Sequence, residues 1–113
     1  MQADRLQKLL EFLENEPDDE FLLYALATEY LRLNQVDNAL SYYERLVNDH
    51  PKYVGTYYHL GKLYEALNRK DDALRTYETG MKTAREARDN HALAELQGVY
   101  NQLNGFEDDD DDY

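Results

Sequence analysis

Apolar residues recur three and four positions apart along most of this chain, which is the spacing of an amphipathic helix. One apolar stripe covers residues 20–33, and a second covers residues 37–49. The polar residues Asn34 and Gln35 separate the two stripes. We expect Asp37 to cap the second helix by accepting its free amide hydrogens. The pattern therefore predicts two helices joined by a short turn.

This helix pair is repeated with a fixed period. Pro17 and Pro51 lie 34 residues apart, and residues 20–53 align with residues 54–87 by the same shift. The pairs of identical residues include Tyr24 and Tyr58, Leu26 and Leu60, Tyr30 and Tyr64, Leu33 and Leu67, Asn34 and Asn68, and Tyr43 and Tyr77. A fixed period in this range is typical of a stacked array of helix pairs rather than of one globular core.

Further helices are predicted on both sides of the two pairs. Leucine and phenylalanine residues before Pro17 form an amphipathic stripe, in the register of the second helix of a preceding pair. Arg85 stands where a third proline would fall, so the helix that starts near Asp71 should continue to about Arg88. Beyond Asp89, where we predict a turn and a cap, apolar residues form the first helix of an incomplete third pair.

Gly80 lies inside the long helix that starts near Asp71. Glycine in a helix interior costs about 1 kcal/mol relative to alanine. The first pair has Leu46 at the matching position. We therefore expect a neighbouring backbone to approach Gly80 closely.

Small residues and tyrosines occupy matching positions in both pairs. The first pair contains L-x-x-L-A-x-x-Y, the second contains Y-x-x-L-G-x-x-Y, and A-x-x-x-Y follows in each. This pattern resembles the tetratricopeptide repeat, and the whole chain is similar to small stand-alone bacterial proteins of that family. The resemblance implies an all-α superhelical solenoid of about six antiparallel helices, with two full repeats flanked by half repeats. The expected boundaries are a helical domain at 1–104, divided into half repeat 4–16, repeat 20–51, repeat 54–88 and half repeat 90–104, and an acidic tail at 105–113.

The formal net charge of the chain is −12, and its distribution bears on the choice of partner. Six of the 24 acidic residues lie within Glu107–Asp112, which leaves 18 acidic residues against 12 basic ones, or a net charge of −6, in the rest. Such acidity repels phosphate backbones, so we expect no nucleic-acid partner. With only five lysines, the acid excess is also compatible with a salt-rich cell interior.

Adjacent like charges after Gly105 repel one another, and few apolar side chains are available there to order the segment. We therefore expect a disordered tail that serves as a solubilising end. Three other hypotheses stay open for it. The tail could attract a basic partner, fold back on the chain's own basic residues, or bind a divalent ion weakly, without the glycine and spaced oxygens of a calcium loop.

No apolar run approaches the roughly 20 residues of a membrane span. The segment after Met1 also lacks the apolar stretch and cleavage site of a signal peptide. The chain has no cysteine, which excludes disulfides and thiolate metal sites and is typical of intracellular proteins. We therefore expect a cytoplasmic protein with no membrane partner.

The sequence offers little for catalysis. His50, His59 and His91 lie in different predicted elements and lack the spacing of metal ligands. The sequence has no glycine-rich phosphate loop and no nucleophile elbow. Its many carboxylates are expected on helix surfaces, where they more often pair with lysine or arginine than act as acid and base. We predict no enzyme activity, no metal site and no cofactor.

The resemblance implies that the first helix of each pair lines the concave side of the array. The partner-binding residues expected there are Tyr24, Thr28 and Arg32 on one helix, and Tyr58, Lys62 and Glu65 on the next. Weaker candidates are Leu31, Glu95 and Asn101. An exposed tyrosine offers a broad contact area and a hydroxyl group to a ligand. Packing against neighbouring helices is an equally good explanation of Tyr24 and Tyr58.

Some members of this family bind acidic carboxyl-terminal peptides of chaperones through paired lysine, asparagine and arginine side chains. Here Ala25, Thr28 and His59 occupy positions where that set needs an asparagine or a cation. We therefore do not expect this ligand.

Two functions remain open. The leading hypothesis is an interaction scaffold that binds a peptide or a helix of a partner protein in its concave groove. The alternative is a self-associating structural unit, a homo-oligomer in which the terminal half repeats cover their apolar flanks. Loss of partner binding without the two tyrosines would favour the first, and a concentration-dependent mass in light scattering would favour the second.

Overall fold

The computed structural model of the chain describes residues 2–105, with side chains from residue 4 onward. This part of the chain contains six α-helices and no β-strand. The helices are α1 (Gln2–Asn15), α2 (Glu20–Arg32), α3 (Val36–Asp49), α4 (Gly55–Ala66), α5 (Lys70–Ala87) and α6 (Asn90–Leu103). The all-α prediction is confirmed. The predicted acidic tail lies outside the described residues from Phe106 onward.

The chain divides into two compact units. The first unit ends at Tyr53 and contains α1 to α3, and the second begins at Val54 and contains α4 to α6. In the first unit, α2 packs against both α1 and α3. In the second unit, α5 packs against both α4 and α6, and α4 also contacts α6. Within each unit, one helix therefore packs against both of the others.

The apolar stripe of α1 is covered by α2 in the first unit. Leu9 of α1 forms a buried cluster with Ala25 and Leu26 of α2. The partly buried side chains around this cluster are Leu6, Leu10, Leu13, Leu22, Tyr30 and Tyr42. Because full burial of one leucine stabilises a fold by about 1.5–3 kcal/mol, this contact is what fixes α1 against the repeat that follows it.

Small residues let large rings pack against the helices of the second unit. A Cβ atom added to Gly61 would lie 2.1 Å from Cε1 of the buried Tyr77. A Cβ atom added to Gly80 would lie 2.5 Å from Cβ of Tyr57 and 3.1 Å from Cδ1 of Leu96. The predicted close approach at Gly80 is therefore present, but side chains rather than a neighbouring backbone make it.

The turns after α2 and α4 use the same local geometry. Asn34 and Asn68 adopt left-handed conformations, with φ of 62° and 61°. Asparagine tolerates this region better than most residues. The amide nitrogen of Gln35 then donates to the carbonyl oxygen of Tyr30 at 2.8 Å, and Arg69 forms the matching bond after Asn68. The repeated asparagine thus ends both helices in the same way.

The predicted cap at Asp37 was wrong. Helix α3 starts at Val36 after Gln35, whose side chain makes no capping hydrogen bond. Asp37 lies inside the first turn, where its negative charge interacts favourably with the helix dipole. In contrast, the side chain of Asp89 caps α6 as predicted, because it accepts a hydrogen bond from the amide of Ala92 at 3.0 Å.

Helix α5 has the length that the missing third proline predicts. It contains 18 residues, whereas its counterpart α3 contains 14. It ends at Ala87, and Arg88 adopts a left-handed conformation with φ of 59°. Without a proline to stop it, the helix ends at this left-handed residue instead.

Thr56 is fully buried, and its hydroxyl oxygen has no hydrogen-bond partner among the described residues. A buried polar group without a partner destabilises a fold. We expect Thr56→Val, which keeps the shape of the side chain, to raise the free energy of unfolding by about 1 kcal/mol in urea denaturation.

Thr83→Val is the matched control for this prediction, because the Thr83 hydroxyl donates to the carbonyl oxygen of Thr79 at 2.9 Å. It should lower the free energy of unfolding or leave it unchanged. A destabilised Thr56→Val protein would show that the buried hydroxyl has a partner after all.

Candidate functional site

Tyr24 is the first of the predicted partner-binding residues, and other tyrosine rings hold it in place. Its half-buried ring meets Tyr43 edge-on, with centroids 6.4 Å apart and planes at 66°. It meets Tyr53 at 5.8 Å and 61°. Edge-to-face contacts of this kind stabilise aromatic pairs by about 0.5–1.5 kcal/mol beyond burial. The Tyr24 ring is therefore fixed while one part of it faces solvent.

Thr28 lies one turn further along α2 and is exposed. Its hydroxyl oxygen is 3.2 Å from the hydroxyl oxygen of Tyr43, which is buried. Burial raises the pKa of Tyr43, while the hydrogen bond with Thr28 acts in the opposite direction. The pair thus anchors a polar group at the surface to the interior of the first unit.

Arg32 is joined to a buried carboxylate of its own helix. Its guanidinium group forms two hydrogen bonds with Glu29, one of them 3.1 Å from Nε to Oε1. Arg5 of α1 approaches the same Oε1 atom at 3.2 Å. Glu29 is only 3% exposed. Arg32 is therefore paired with a buried carboxylate of its own helix, and the same carboxylate links α2 to Arg5 of α1.

The arginines around Glu29 should make the stability of the first unit depend on pH. The hydrogen bond from Arg32 lowers the pKa of Glu29, burial opposes this, and the charges of Arg32 and Arg5 lower it further. Because the folded pKa lies below the unfolded one, ionised Glu29 stabilises the fold above the unfolded pKa. This contribution is lost as the pH falls through the folded pKa.

We expect Glu29→Gln to reduce the fall in melting temperature between about pH 6 and pH 3, as followed by circular dichroism. The hydrogen bond from Arg69 is the largest cause that lowers the pKa of Asp72. Asp72 is present in both the wild type and Glu29→Gln, so its contribution cancels when the two proteins are compared. An unchanged pH profile in Glu29→Gln would show that Glu29 contributes no such stability.

Tyr58 and Lys62 are the counterparts of Tyr24 and Thr28 in the second unit. The half-buried Tyr58 ring meets the His59 ring at 5.5 Å, with the planes perpendicular at 90°. Lys62 is exposed, and its Nζ atom is 3.8 Å from Oε2 of Glu65. Glu65 in turn accepts a hydrogen bond from the hydroxyl of Tyr77. Burial, followed by this bond, raises the pKa of Tyr77.

Both units share one arrangement. Tyr43 of α3 and Tyr77 of α5 are both buried. Each bonds through its hydroxyl group to a polar side chain on the preceding helix, α2 or α4. The partner is Thr28 in the first unit and Glu65 in the second. Thr28 lies one turn after the half-exposed Tyr24 on α2, whereas Glu65 lies two turns after the half-exposed Tyr58 on α4.

Of the weaker candidates, Leu31 is exposed. Burial lowers the pKa of His59, and the charge of Glu95 opposes this effect more weakly. The sequence prediction did not include Tyr53 or Glu29. Tyr53 has no aromatic counterpart one period later, and Glu29 corresponds to an apolar leucine, so the repeat pattern gave no reason to select either one.

Among residues 4–105, no group of three or more histidine, aspartate or glutamate side chains could hold a metal ion. Over the same part of the chain, no helix combines the length and apolar character that crossing a membrane requires.

Comparison with known proteins supports the predicted family and fold. The family model of the tetratricopeptide repeat matches residues 30–98. No curated protein matches the chain. A solution NMR structure of a tetratricopeptide repeat domain protein from Salinibacter ruber is 49% identical, with a TM-score of 0.76, and the match covers 79% of this chain and 90% of that one.

Two further structures are similar. A crystal structure of a tetratricopeptide repeat domain protein from Salinibacter ruber is 49% identical, with a TM-score of 0.75 and coverage of 78% of this chain and 99% of that one. The TPR2B domain of yeast Sti1, solved in a complex with pHsp70, has a TM-score of 0.82 at 16% identity, and the match covers 91% of this chain and 82% of that one. The family-model match and the identity to the Salinibacter ruber protein show that this chain belongs to the tetratricopeptide repeat family.

Proposed function

We propose that this chain is a protein-interaction scaffold without catalytic activity. The first helix of each repeat, α2 or α4, binds a peptide or a helix of a partner protein in the concave groove. One observation carries the proposal. In both units, one helix carries a half-exposed tyrosine together with a polar side chain that a buried tyrosine hydroxyl bonds; Thr28 lies one turn after Tyr24, and Glu65 lies two turns after Tyr58.

Fixed side chains favour binding because they lose little conformational freedom when a partner arrives. The Tyr24 ring is already held by two neighbouring rings. Tyrosine is also among the residues that most often carry the binding energy of protein interfaces. A segment that packs on Tyr24 or Tyr58 would gain apolar contact at a small entropic cost.

The chaperone-peptide clamp of some family members does not carry over to this chain. The yeast Sti1 domain was solved in a complex with pHsp70, but at 16% identity it shares only the fold with this chain. The positions of Ala25, Thr28 and His59 do not supply the asparagine and cation of the chaperone-peptide clamp. We therefore propose binding of a protein segment, and not of this particular class of peptide.

A displayed library of random peptides, selected on the wild-type protein, tests this proposal. We expect the selected peptides to bind the double variant Tyr24→Ala/Tyr58→Ala at least tenfold more weakly, a loss of about 1.4 kcal/mol or more. The matched control is Phe12→Ala/Phe21→Ala, which also removes two exposed aromatic side chains, 57% and 65% exposed, but none of the predicted binding residues.

The control variant should keep the wild-type affinity, and circular dichroism should show that both variants remain folded. If the tyrosine variant binds the selected peptides as tightly as the wild type does, the proposal is wrong.

The same two phenylalanines are the observation that favours the alternative, a self-associating unit. Contiguous exposed apolar surface often marks a protein contact, and Phe12 lies on α1, the predicted terminal half repeat. Light scattering over a wide range of protein concentrations separates the two functions. A scaffold for other proteins should stay monomeric, whereas a dimer that Phe12→Ser/Phe21→Ser dissociates would favour self-association.

A further inference from the structure

We infer that the first unit carries a site for a lysine or arginine side chain of the partner segment, formed by the rings of Tyr24 and Tyr53 and the carboxylates of Asp19 and Glu20. This inference rests on the proposed function, because it names the chemistry of the segment that binds beside α2.

The two rings provide two walls of the site. Tyr24 and Tyr53 are both half-buried, their centroids are 5.8 Å apart, and their planes meet at 61°. We call this pair the aromatic corner. The buried ring of Tyr43 contacts Tyr24 and keeps it in position. A cation within about 6 Å of a tyrosine ring is attracted by the negative face of its π-system. Two rings at an angle can act on the same cation.

Two carboxylates add negative charge at the aromatic corner. Asp19 and Glu20 stand at the start of α2, and both raise the pKa of Tyr53, after the larger effects of burial and of Tyr24. Glu20 also lies four residues before Tyr24 on α2, which places the two side chains on the same side of the helix. Asp19 also accepts a hydrogen bond from the amide of Leu22 at 3.1 Å, which fixes its position.

Glu20 is half-exposed, and its Oε2 atom is 3.4 Å from Nδ1 of His50. One of its two carboxylate oxygens is therefore close to His50 of the same chain, while half of the side chain faces solvent. Rings and carboxylates together are the groups that bind ammonium and guanidinium ions in proteins. The same charges repel an acidic segment, so the site favours a basic one.

The second unit provides two comparisons. There, the guanidinium carbon of Arg69 lies 4.5 Å from the centroid of the Tyr64 ring, so this chain already uses cation–π contact internally. Tyr58, the counterpart of Tyr24, lacks the other groups of the site. One period after Tyr53 the sequence has Ala87, and one period after Glu20 it has Val54. Tyr58 is therefore the matched control position.

NMR titration with three synthetic peptides tests the inference. The peptides share one glycine and serine host sequence and differ in two central residues, which are arginine, citrulline or glutamate. Citrulline has the size of arginine without its charge. We expect the arginine peptide to bind about tenfold more tightly than the citrulline peptide, to shift the ring signals of Tyr24 and Tyr53, and to weaken with added salt.

Single variants assign the effect to the aromatic corner. Tyr24→Leu and Tyr53→Leu should remove the preference for arginine over citrulline, whereas Tyr58→Leu should keep it. Circular dichroism checks that each variant is folded. If the preference survives both Tyr24→Leu and Tyr53→Leu, it reflects general attraction to an acidic protein, and the site is wrong.

Different experimental outcomes would reject the cation site and the proposed scaffold function. If the citrulline peptide binds as tightly as the arginine peptide and Tyr24→Leu weakens both, the first helix binds a segment but has no cation site. If the glutamate peptide binds best, the ligand chemistry is the opposite of the one inferred. If none of the three peptides binds, the cation site is rejected, and the library selection alone decides the proposed function.

Discussion

Replacing Tyr77 by alanine should lower the free energy of unfolding by about 3–5 kcal/mol, the largest effect that we expect from a single substitution in this chain. The Tyr77 side chain is 0% exposed, so its removal leaves a cavity in the second unit. The hydroxyl group also loses its hydrogen bond to Glu65. Urea denaturation followed by circular dichroism measures the change.

The same cavity should reverse the effect of a second substitution, Gly61→Ala. In the wild-type protein the added Cβ atom would lie 2.1 Å from Cε1 and 2.6 Å from Cζ of Tyr77. Overpacking of this kind costs about 1–3 kcal/mol. Without the Tyr77 ring, the new methyl group fills empty space, and alanine adds about 1 kcal/mol of helix propensity over glycine.

A double-mutant cycle therefore has a clear expected result. Gly61→Ala should destabilise the wild type and stabilise the Tyr77→Ala protein. If Tyr77→Ala does not fold, Tyr77→Leu gives a milder cavity in which the same change of sign is expected. Additive effects of the two substitutions would contradict the packing of Gly61 against Tyr77.

Gly80→Ala should also destabilise the second unit, and here the neighbour cannot move away easily. The added Cβ atom would lie 2.5 Å from Cβ of Tyr57, an atom fixed by the backbone of α4. The overpacking cost is about 1–3 kcal/mol. It is larger than the gain of about 1 kcal/mol in helix propensity over most of that range. We expect a net loss, measured as a lower urea midpoint with unchanged slope.

Gly98 is the matched control for Gly80, because it lies inside α6 and, among the described residues, no atom outside the nearby backbone of α6 lies within 4 Å of an added Cβ. Gly98→Ala should therefore raise the free energy of unfolding by about 1 kcal/mol. The two glycine-to-alanine substitutions should have opposite signs. If both stabilise the protein, α4 and α5 pack less tightly than described.

Much of the fold could be predicted from the sequence because each local pattern occurs twice, once in each repeat. The turns at Asn34 and Asn68 are an example, since the sequence predicts a turn at each and the structure then gives both asparagines the same left-handed conformation. The length of α5 followed from the absence of a proline at Arg85. These features depend on local conformational preferences, which sequence reveals directly.

Features that depend on packing partners were harder to predict. Aspartate is a preferred residue at helix N-caps, yet α3 begins before Asp37, at Val36. Gly80 predicted a close approach, but the partner, Tyr57, lies 23 residues earlier and could be identified only from the structure. The position of a residue in a repeat does not specify which neighbouring side chain fills the space beside it.

The same limit applies to the candidate site. Tyr24 and Tyr58 were selected because they recur with the repeat, and the structure places both of them half-exposed on first helices. Tyr53 was not selected, because it has no aromatic counterpart one period later, and its contact with Tyr24 could be identified only from the structure. Arg32 was selected as a cation, whereas Glu29 already engages it.

The most direct test of the proposed scaffold function is to measure intermolecular nuclear Overhauser effects between a library-selected peptide and the protein. We predict contacts from the peptide to the ring of Tyr24 and the methyl group of Thr28, or to the ring of Tyr58 and the side chain of Lys62. Contacts confined to Phe12 and Phe21, with none to these four residues, would contradict binding by the first helices.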